Sequence, residues 1–159
     1  MLGMMNDISD RVVAERTIAE NNRFRESIEK AMPDILYVHD LKNNRTIYTN
    51  KNLVTHLGYT LKDFEALGDN FLSMIIHPDD LKTVLPWTTE PQGVVRENEL
   101  RILLKDGSYR WLLTRTTPFH CDADGNVTQI IGVARDITDR KKSIDQLNQS
   151  EQSYRELFD

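Results

Sequence analysis

The chain has 159 residues, a formal net charge of −5 at pH 7, and 39% hydrophobic and 28% charged residues. This length fits one domain with terminal extensions, and the composition is typical of a globular protein with some solvated helix. The acidic balance argues against a general nucleic-acid binder, and the single cysteine, Cys121, excludes an internal disulfide and a multi-cysteine metal site.

The sequence contains no membrane-spanning pattern. No apolar run reaches the roughly 20 residues that cross a bilayer. The N-terminus lacks the basic segment and apolar core of a signal peptide. We therefore expect a cytoplasmic domain without membrane contact of its own, whose parent protein can still be membrane-attached.

The first predicted element is a polar helix from Asp7 to about Met32, and Pro33 ends it. Its apolar residues follow coiled-coil spacing only in part. A surface linker helix and a dimerising helix are therefore both open interpretations.

A β-hairpin and several short helices follow. Strands 34–41 and 45–50 are rich in branched and aromatic residues and are joined by an Asn-Asn turn. Helices are predicted over Lys51–Leu57, over Leu61–Leu67 and over Asp79–Leu85. Asn50 can cap the first, and Thr60-x-x-Asp63 opens the second with a capping-box-like pattern. His77 is a polar cap for the third, with Pro78 and the acids Asp79 and Asp80 at its start.

The second half contains three long strands, Val94–Leu104, Tyr109–Phe119 and Val127–Ile137. Short turns join them, so neighbouring strands must be antiparallel. The element order predicts an α+β fold with a five-stranded antiparallel sheet, short helices on one face, and linker helices at both ends. A small pocket is expected between the sheet and the short helices.

Alternation along the strands gives candidate pocket residues. Asn98 and Leu100 fall on the face that is expected to meet the helices, and Tyr37 and Thr114 are similar candidates. A slip of one residue would reverse these assignments. For Asn98, a backbone or water partner, exposure near the strand end, and a ligand contact all remain open.

Trp111, Leu113 and Arg115 share the opposite face of their strand. An aromatic side chain there predicts a covered surface. We interpret it as the place where a helix or a second copy of the chain docks.

One short sequence occurs twice. Asp136–Arg140 reads D-I-T-D-R and Asp7–Arg11 reads D-I-S-D-R, and a polar helical run follows each. Asp136 or Thr138 can cap the second of these helices. Its apolar residues have 3-4-3-4 spacing over barely two heptads, which fits either a coiled coil or a single linker helix.

Four segments together resemble the PAS domains of bacterial sensor proteins. They are Tyr48-Thr49-Asn50 with Leu57-Gly58-Tyr59-Thr60, then His77-Pro78-Asp79-Asp80, then Lys105-Asp106-Gly107-Ser108-Tyr109-Arg110-Trp111, and finally Gly132–Lys141, which contains D-I-T-D-R. Each segment alone is a weak signal, and the four in this order make a strong one. The chain departs from the family in the short, proline-broken stretch Leu85–Gly93.

The resemblance implies a module cut from a tandem array. Residues 1–25 would be a linker from a preceding module, 26–140 the PAS domain, and 141–159 a linker into a further module. The implied function is sensing or relay in a multidomain signalling protein, most often a two-component sensor histidine kinase. Asp136, Ile137 and Thr138 would pass a change in the pocket or in a dimer contact to the exit helix.

The resemblance also bears on cofactors and partners. The helix in which haem-binding relatives carry their iron ligand has no histidine here, and Cys121 lies outside any flavin-adduct motif. We therefore expect neither haem nor flavin, but an unidentified small ligand, if any. The expected partners are neighbouring PAS and output domains of the same chain and a second copy in a homodimer.

Three interpretations compete. The leading one is the sensory module. The alternatives are a ligand-free scaffold or dimerisation module, and a PAS module of a cyclic-di-GMP enzyme. No nucleophile–base pair or glycine-rich phosphate loop is present in the sequence, so the fragment itself is expected to be non-catalytic.

Overall fold

The computed structural model describes residues 2–50, 52–84 and 93–158 of the chain. The chain divides into two compact units, Met1–Pro33 and Asp34–Asp159. The predicted helix start at Lys51 and all but the last residue of the predicted stretch Leu85–Gly93 lie outside the described residues. Among the residues that are described, no helix combines the length and apolar character needed to cross a membrane.

The first unit contains a single helix, α1 (Leu2–Ala31). It confirms the predicted helix and begins earlier than Asp7. Its end just before Pro33 follows from the missing amide hydrogen and fixed φ angle of proline.

The second unit is an α+β domain, as predicted. Its elements in chain order are β1 (Ile35–Asp40), β2 (Arg45–Thr49), α2 (Asn52–Leu57), α3 (Leu61–Leu67), α4 (Phe71–Ile75), α5 (Pro78–Val84), β3 (Arg96–Leu103), β4 (Tyr109–Cys121), β5 (Val127–Asp136) and α6 (Thr138–Phe158). The strands form one five-stranded sheet in the order β2-β1-β5-β4-β3, and all neighbours are antiparallel.

One face of this sheet carries the core. On β3, Leu100 and Ile102 are buried while Glu97 and Glu99 are exposed, which confirms the predicted alternation. The short helices α2 to α5 pack their apolar side chains on the buried face. Burial of each large aliphatic or aromatic side chain stabilises the fold by roughly 1.5–3 kcal/mol.

Asn50 joins the two ends of the hairpin. Its buried side chain accepts a hydrogen bond from the Leu36 amide at 3.1 Å and donates one to the Asp34 carbonyl at 3.0 Å. A buried amide satisfied on both sides holds two strand ends in register. Asn50 thus positions β1, which lies next to β5 in the sheet.

The segment around Tyr59 ties α3 to the turn between β3 and β4. The Tyr59 hydroxyl donates to the Leu103 carbonyl at 2.8 Å, and Lys105 Nζ donates to Asp63 at 2.9 Å. Asp63 also completes the predicted capping box with Thr60. The hydrogen bond from the Thr60 amide, and secondly the one from Lys105, lower the pKa of Asp63 to about 2.

The His77–Asp80 segment ties α5 to β3. His77 Nδ1 accepts from the Asp79 amide at 3.1 Å, so the predicted cap is confirmed. Asp80 accepts from the Arg101 amide at 2.8 Å and from Arg101 Nε and Nη2 at 2.9 and 3.0 Å. The prediction gave Asp80 only a role at the helix start. The structure adds a bidentate ion pair, which is the stronger arrangement for a carboxylate.

His39 lies inside the β1–β2 hairpin and is only 4% exposed. Its ring nitrogens lie 3.4 Å from Thr46 Oγ1 and 3.4 Å from Asn44 Oδ1. Asn44 is in the turn with φ of 49°, the left-handed conformation that asparagine tolerates. Burial lowers the pKa of His39 below its ordinary value, and the Asn44 hydrogen bond and the Asp40 charge oppose this only in part.

The Asp80–Arg101 pair predicts a difference between two adjacent acids. Replacement of Asp80, whose side chain is 15% exposed, by asparagine removes a charged acceptor of three hydrogen bonds, and we expect the free energy of unfolding to fall by about 1–2 kcal/mol at pH 7. Asp79→Asn is the matched control, because Asp79 is 77% exposed and lies 3.8 Å from Arg101. Urea denaturation followed by circular dichroism measures both, and equal losses would contradict the prediction.

Burial of His39 predicts a pH-dependent stability. The unfolded chain binds a proton near the ordinary pKa of 6.5, whereas the folded chain binds it only at lower pH. The contribution of His39 is therefore complete above pH 6.5 and is lost as the pH falls from there toward the folded-state pKa. His39→Gln should remove this slope from urea midpoints measured against pH. The same change at the exposed His120 should retain it, and a slope that survives His39→Gln would refute the assignment.

Candidate functional site

A cavity of about 150 Å³ lies between the inner face of the sheet and the short helices. We call it the inner chamber. Its walls are mostly apolar and come from nearly every element of the domain, including Leu53, Phe64, Leu81 and Leu112. The helices form its outer wall, and β1, β3, β4 and β5 form the other.

The four residues predicted for the pocket lie around this one chamber. Tyr37, Asn98, Leu100 and Thr114 all line it. Asn98 is half-buried, and its backbone carbonyl accepts from the Thr114 hydroxyl at 3.2 Å. All four side chains therefore lie on the chamber side of the sheet, and a ligand contact of these residues stays a prediction.

A hydrogen bond crosses three strands at the floor of the chamber. The Tyr37 hydroxyl on β1 lies 2.8 Å from Thr116 Oγ1 on β4. Gly132 of β5 pairs with both residues and lies beneath the bond, where an added Cβ would come within 2.6 Å of the tyrosine ring. Glycine at this position leaves the space that Tyr37 occupies. Burial raises the pKa of Tyr37, so the hydroxyl stays protonated.

A second, more polar cavity of about 320 Å³ adjoins the inner chamber. We call it the mouth. The two share six lining residues, namely His39, Asn44, Thr46, Phe64, Phe71 and Leu72. Arg45, Glu65 and Asp69 line the mouth alone and are exposed. The chamber therefore opens between the β1–β2 hairpin and the end of α3.

The predicted joint Asp136–Ile137–Thr138 is bound to β4, chiefly through the backbone of Trp111. The Trp111 amide donates to Thr138 Oγ1 at 2.9 Å, and the Trp111 carbonyl accepts from the Ile137 amide at 2.9 Å. Asp136 accepts from the Thr138 amide at 2.9 Å and lies 3.4 Å from Arg110. Of the two predicted caps, Asp136 satisfies the start of α6, and the Thr138 side chain binds β4.

The outer face around Trp111 is crowded with charge. The Arg101 guanidinium lies 5.2 Å from the ring centroid, and Lys141 Nζ lies 4.6 Å from it. Lys141, in the first turn of α6, also pairs with Glu99. Cations over an indole ring are attracted by its negative face. Of the other residues predicted for this surface, Leu113 is half-buried, and Arg115 is exposed and pairs with Glu97 at 2.9 Å.

Arg101 connects the inner chamber with the outer face around Trp111. It binds Asp80 at the start of α5, whose Leu81 and Val84 line the inner chamber, and it lies over Trp111 beside the start of α6. A displacement of α5 therefore acts on a residue that lies over Trp111, and the Trp111 backbone in turn binds the start of α6.

Several of these contacts were not predicted from the sequence. Asp80–Arg101, Tyr37–Thr116 and Trp111–Lys141 join residues that are 21 or more positions apart. Arg101, which follows Glu97 and Glu99 on the same strand face, was a weak signal for an acidic partner, and Gly132 inside a strand was a signal for close approach. Within the described residues, no cluster of histidine, cysteine and acidic side chains could hold a metal ion.

Comparison with known proteins gives the family. A family model described as "PAS fold" matches residues 46–134, which is more than half of the chain. Among curated proteins, the peroxide stress-activated histidine kinase mak1 of Schizosaccharomyces pombe is 30% identical over 93% of this chain. The two-component sensor PprA of Pseudomonas aeruginosa is 27% identical over 99% of this chain. The chain spans only 10% and 17% of the lengths of these two relatives.

Solved structures show the same fold. A sensory box histidine kinase/response regulator from Burkholderia thailandensis superposes with a TM-score of 0.62 at 24% identity, over 84% of this chain and 98% of that one. A PAS domain from Colwellia psychrerythraea superposes with a TM-score of 0.58 at 25% identity, over 74% of this chain and 97% of that one. With the matching family model, the sheet order and the helix-covered cavity, the chain belongs to the PAS-fold family.

Proposed function

We propose that this chain is a signal-sensing or signal-relay module of a two-component sensor histidine kinase. In this proposal, occupancy of the inner chamber changes the position of β4 and α5 and thereby the start of α6. The chain itself carries out no reaction, and the kinase activity belongs to another part of a longer protein. The names of two relatives, a histidine kinase and a two-component sensor, support this assignment.

The observation that carries the proposal is the double role of β4. Leu112, Thr114 and Thr116 line the inner chamber on one face of this strand. On the same strand, the Trp111 backbone binds both Ile137 and Thr138 at the start of α6. Because a paired strand moves as one body, a shift at the chamber reaches the exit helix without an intermediate loop.

A signal also needs two discrete arrangements of the module. A ligand shifts an equilibrium only as far as its affinities for the two arrangements differ. Arg101 is suited to this task, since it holds Asp80 on one side and contacts Trp111 on the other. Release of either contact would free α5 or the start of α6 to move relative to β3.

We further propose a small ligand without an anionic group, and neither haem nor flavin. The inner chamber has a volume of about 150 Å³, which is the size of one ring and much smaller than a macrocycle or a tricyclic flavin. In the described residues, His39 is the one histidine that lines the chamber, and its ring lies beside Thr46 and Asn44.

We also infer that the module acts as a homodimer through α6. Ile144, Leu147 and Tyr154 are 45%, 59% and 65% exposed and, together with Glu151, follow the 3-4-3 spacing of a coiled-coil seam. Glu151 lies in the same seam and weakens it, because two copies would bring like charges together. Pairing of exit helices gives a change at Thr138 a path to a downstream kinase.

The joint can be tested in a fusion of residues 1–159 to the dimerising and catalytic core of a histidine kinase. Ala134→Val adds volume inside the chamber and should change the autophosphorylation rate, because Ala134 is 4% exposed and lines the chamber. The second arm of a double-mutant cycle is a joint variant that carries both Thr138→Val and Asp136→Ala. In this joint variant, Ala134→Val should no longer change the autophosphorylation rate.

Asp139→Ala is the matched control for this cycle, since Asp139 is exposed in the first turn of α6. The fold should persist in all variants, with a loss of about 1–3 kcal/mol for the joint variants. A rate change that survives loss of the joint would mean that the segment is only a linker and would favour the scaffold interpretation.

Dimerisation is tested by a concentration series in sedimentation velocity. Leu147→Glu should lower the dimer fraction because it places a charge in the seam. Leu157, which is 81% exposed and outside the 3-4 spacing, provides the control variant Leu157→Glu. A monomer at all concentrations, or equal effects of the two variants, would contradict the dimer.

A further inference from the structure

The inner chamber and the mouth differ in polarity. The lining of the inner chamber is mainly leucine, isoleucine and phenylalanine. The mouth is lined by His39, Asn44, Arg45, Glu65 and Asp69 together with the shared apolar residues. A molecule that occupies both must therefore have one apolar end and one polar end.

Three hydroxyl groups on the sheet side of the inner chamber, those of Tyr37, Thr114 and Thr116, already have protein partners. Tyr37 and Thr116 bind each other at 2.8 Å, and Thr114 donates to the Asn98 carbonyl at 3.2 Å. A polar ligand group placed there would break a bond for each one it made, at little net gain. The inner chamber thus selects an apolar group, and its volume of about 150 Å³ matches a single six-membered ring.

His39 lies where the two cavities meet, since it lines both. Its hydrogen bonds to Thr46 and Asn44 are both 3.4 Å long, at the weak end of the range for such bonds. The side chains of His39, Thr46 and Asn44 therefore lose little hydrogen-bond energy when they turn toward a ligand. They form the polar anchor closest to the inner chamber.

Charge at the mouth favours one kind of head group. Two carboxylates, Glu65 and Asp69, and the Asn44 carbonyl oxygen are acceptors, whereas Arg45 is the single cation among the lining residues of the mouth. The lining side chains of the mouth therefore carry a net negative charge when His39 is neutral. A carboxylate or phosphate would be repelled, and a hydrogen-bond donor would find several acceptors.

We propose that this site binds a small apolar molecule with one hydrogen-bond-donating head group, an alcohol or an amine. The apolar part, of about one ring, lies in the inner chamber, and the head group lies beside His39 and Asn44 in the mouth. This inference rests on the proposed sensory function and adds to it the chemical class of the ligand.

The test compares isosteric probes with residues 1–159 of the chain. Benzyl alcohol, benzylamine, toluene and benzoate share one ring and differ in the head group. Affinities come from titrations followed by backbone amide shifts in ¹H–¹⁵N NMR spectra. We expect benzyl alcohol and benzylamine to bind at least roughly tenfold more tightly than benzoate and more tightly than toluene. Binding of benzylamine alone or benzyl alcohol alone identifies which donor the mouth prefers and supports the class.

Two variants locate the site. Ala134→Leu should abolish binding of both donors because it fills the inner chamber, and His39→Phe should remove the preference over toluene. His120→Phe, the same change at an exposed histidine, should alter neither. The ranking of the probes on the unmodified chain remains decisive if a variant does not fold.

Other outcomes overturn the inference. They are benzoate binding as tightly as the donors, toluene binding as tightly as the donors, or no probe binding at all. These results leave the kinase-fusion cycle untouched, so a failed ligand class and a failed relay are distinguishable. Conversely, the expected ranking without coupling in the fusion would retain the site and refute the relay.

Discussion

The pairing of β4 with β3 on one side and β5 on the other is the constraint on which the rest of the domain depends. Successive side chains on a strand point to opposite faces, so β4 must serve two surfaces at once. Leu112, Thr114 and Thr116 face the helices and line the inner chamber. Trp111 faces outward, and its backbone binds the start of α6. The chamber and the exit helix are thus coupled because adjacent residues of one strand face the chamber and bind the helix.

Each of the four segments that carry the family resemblance contains a residue whose hydrogen bonds hold secondary-structure elements together. Asn50 closes the hairpin, Tyr59 and Asp63 bind the β3–β4 region, Asp80 binds Arg101, and Trp111 binds Thr138. All four connect residues that are at least 14 positions apart in the chain. Family members can therefore share a scaffold while the chamber lining changes, and a shared framework does not identify the ligand.

Electrostatics in this domain act through geometry more than through the number of charges. Asp79 and Asp80 are neighbours in sequence, yet only Asp80 is largely shielded from solvent and has bidentate contact with Arg101. Hydrogen bonds from Arg101 lower the pKa of Asp80, so that pair persists well into the acidic range. His39 behaves in the opposite sense, because burial disfavours its charged form. His39 therefore stays neutral to lower pH than an ordinary histidine, and its protonation then opposes the folded hairpin.

The sequence by itself determined the local features of the fold, which depend on residues close to one another in the chain. Alternation favoured an inward face for Asn98 and Leu100, which line the inner chamber, and the Thr60–Asp63 spacing indicated the capping box that is present. The Asp106-Gly107 turn is present, with Gly107 at φ of 88°. These features are local, so short-range sterics and hydrogen bonding specify them.

Only the tertiary structure decided which distant groups meet. Asp80 was predicted merely to begin a helix, and the sequence left open whether Asp136 or Thr138 caps α6. The packing of α5 on β3 brings Asp80 to Arg101, and the pairing of β4 with the end of β5 turns Thr138 toward Trp111. The division of the cavity into an apolar chamber and a polar mouth likewise follows from where the β1–β2 hairpin lies against α3. Such contacts depend on strand register and helix placement, which no local pattern encodes.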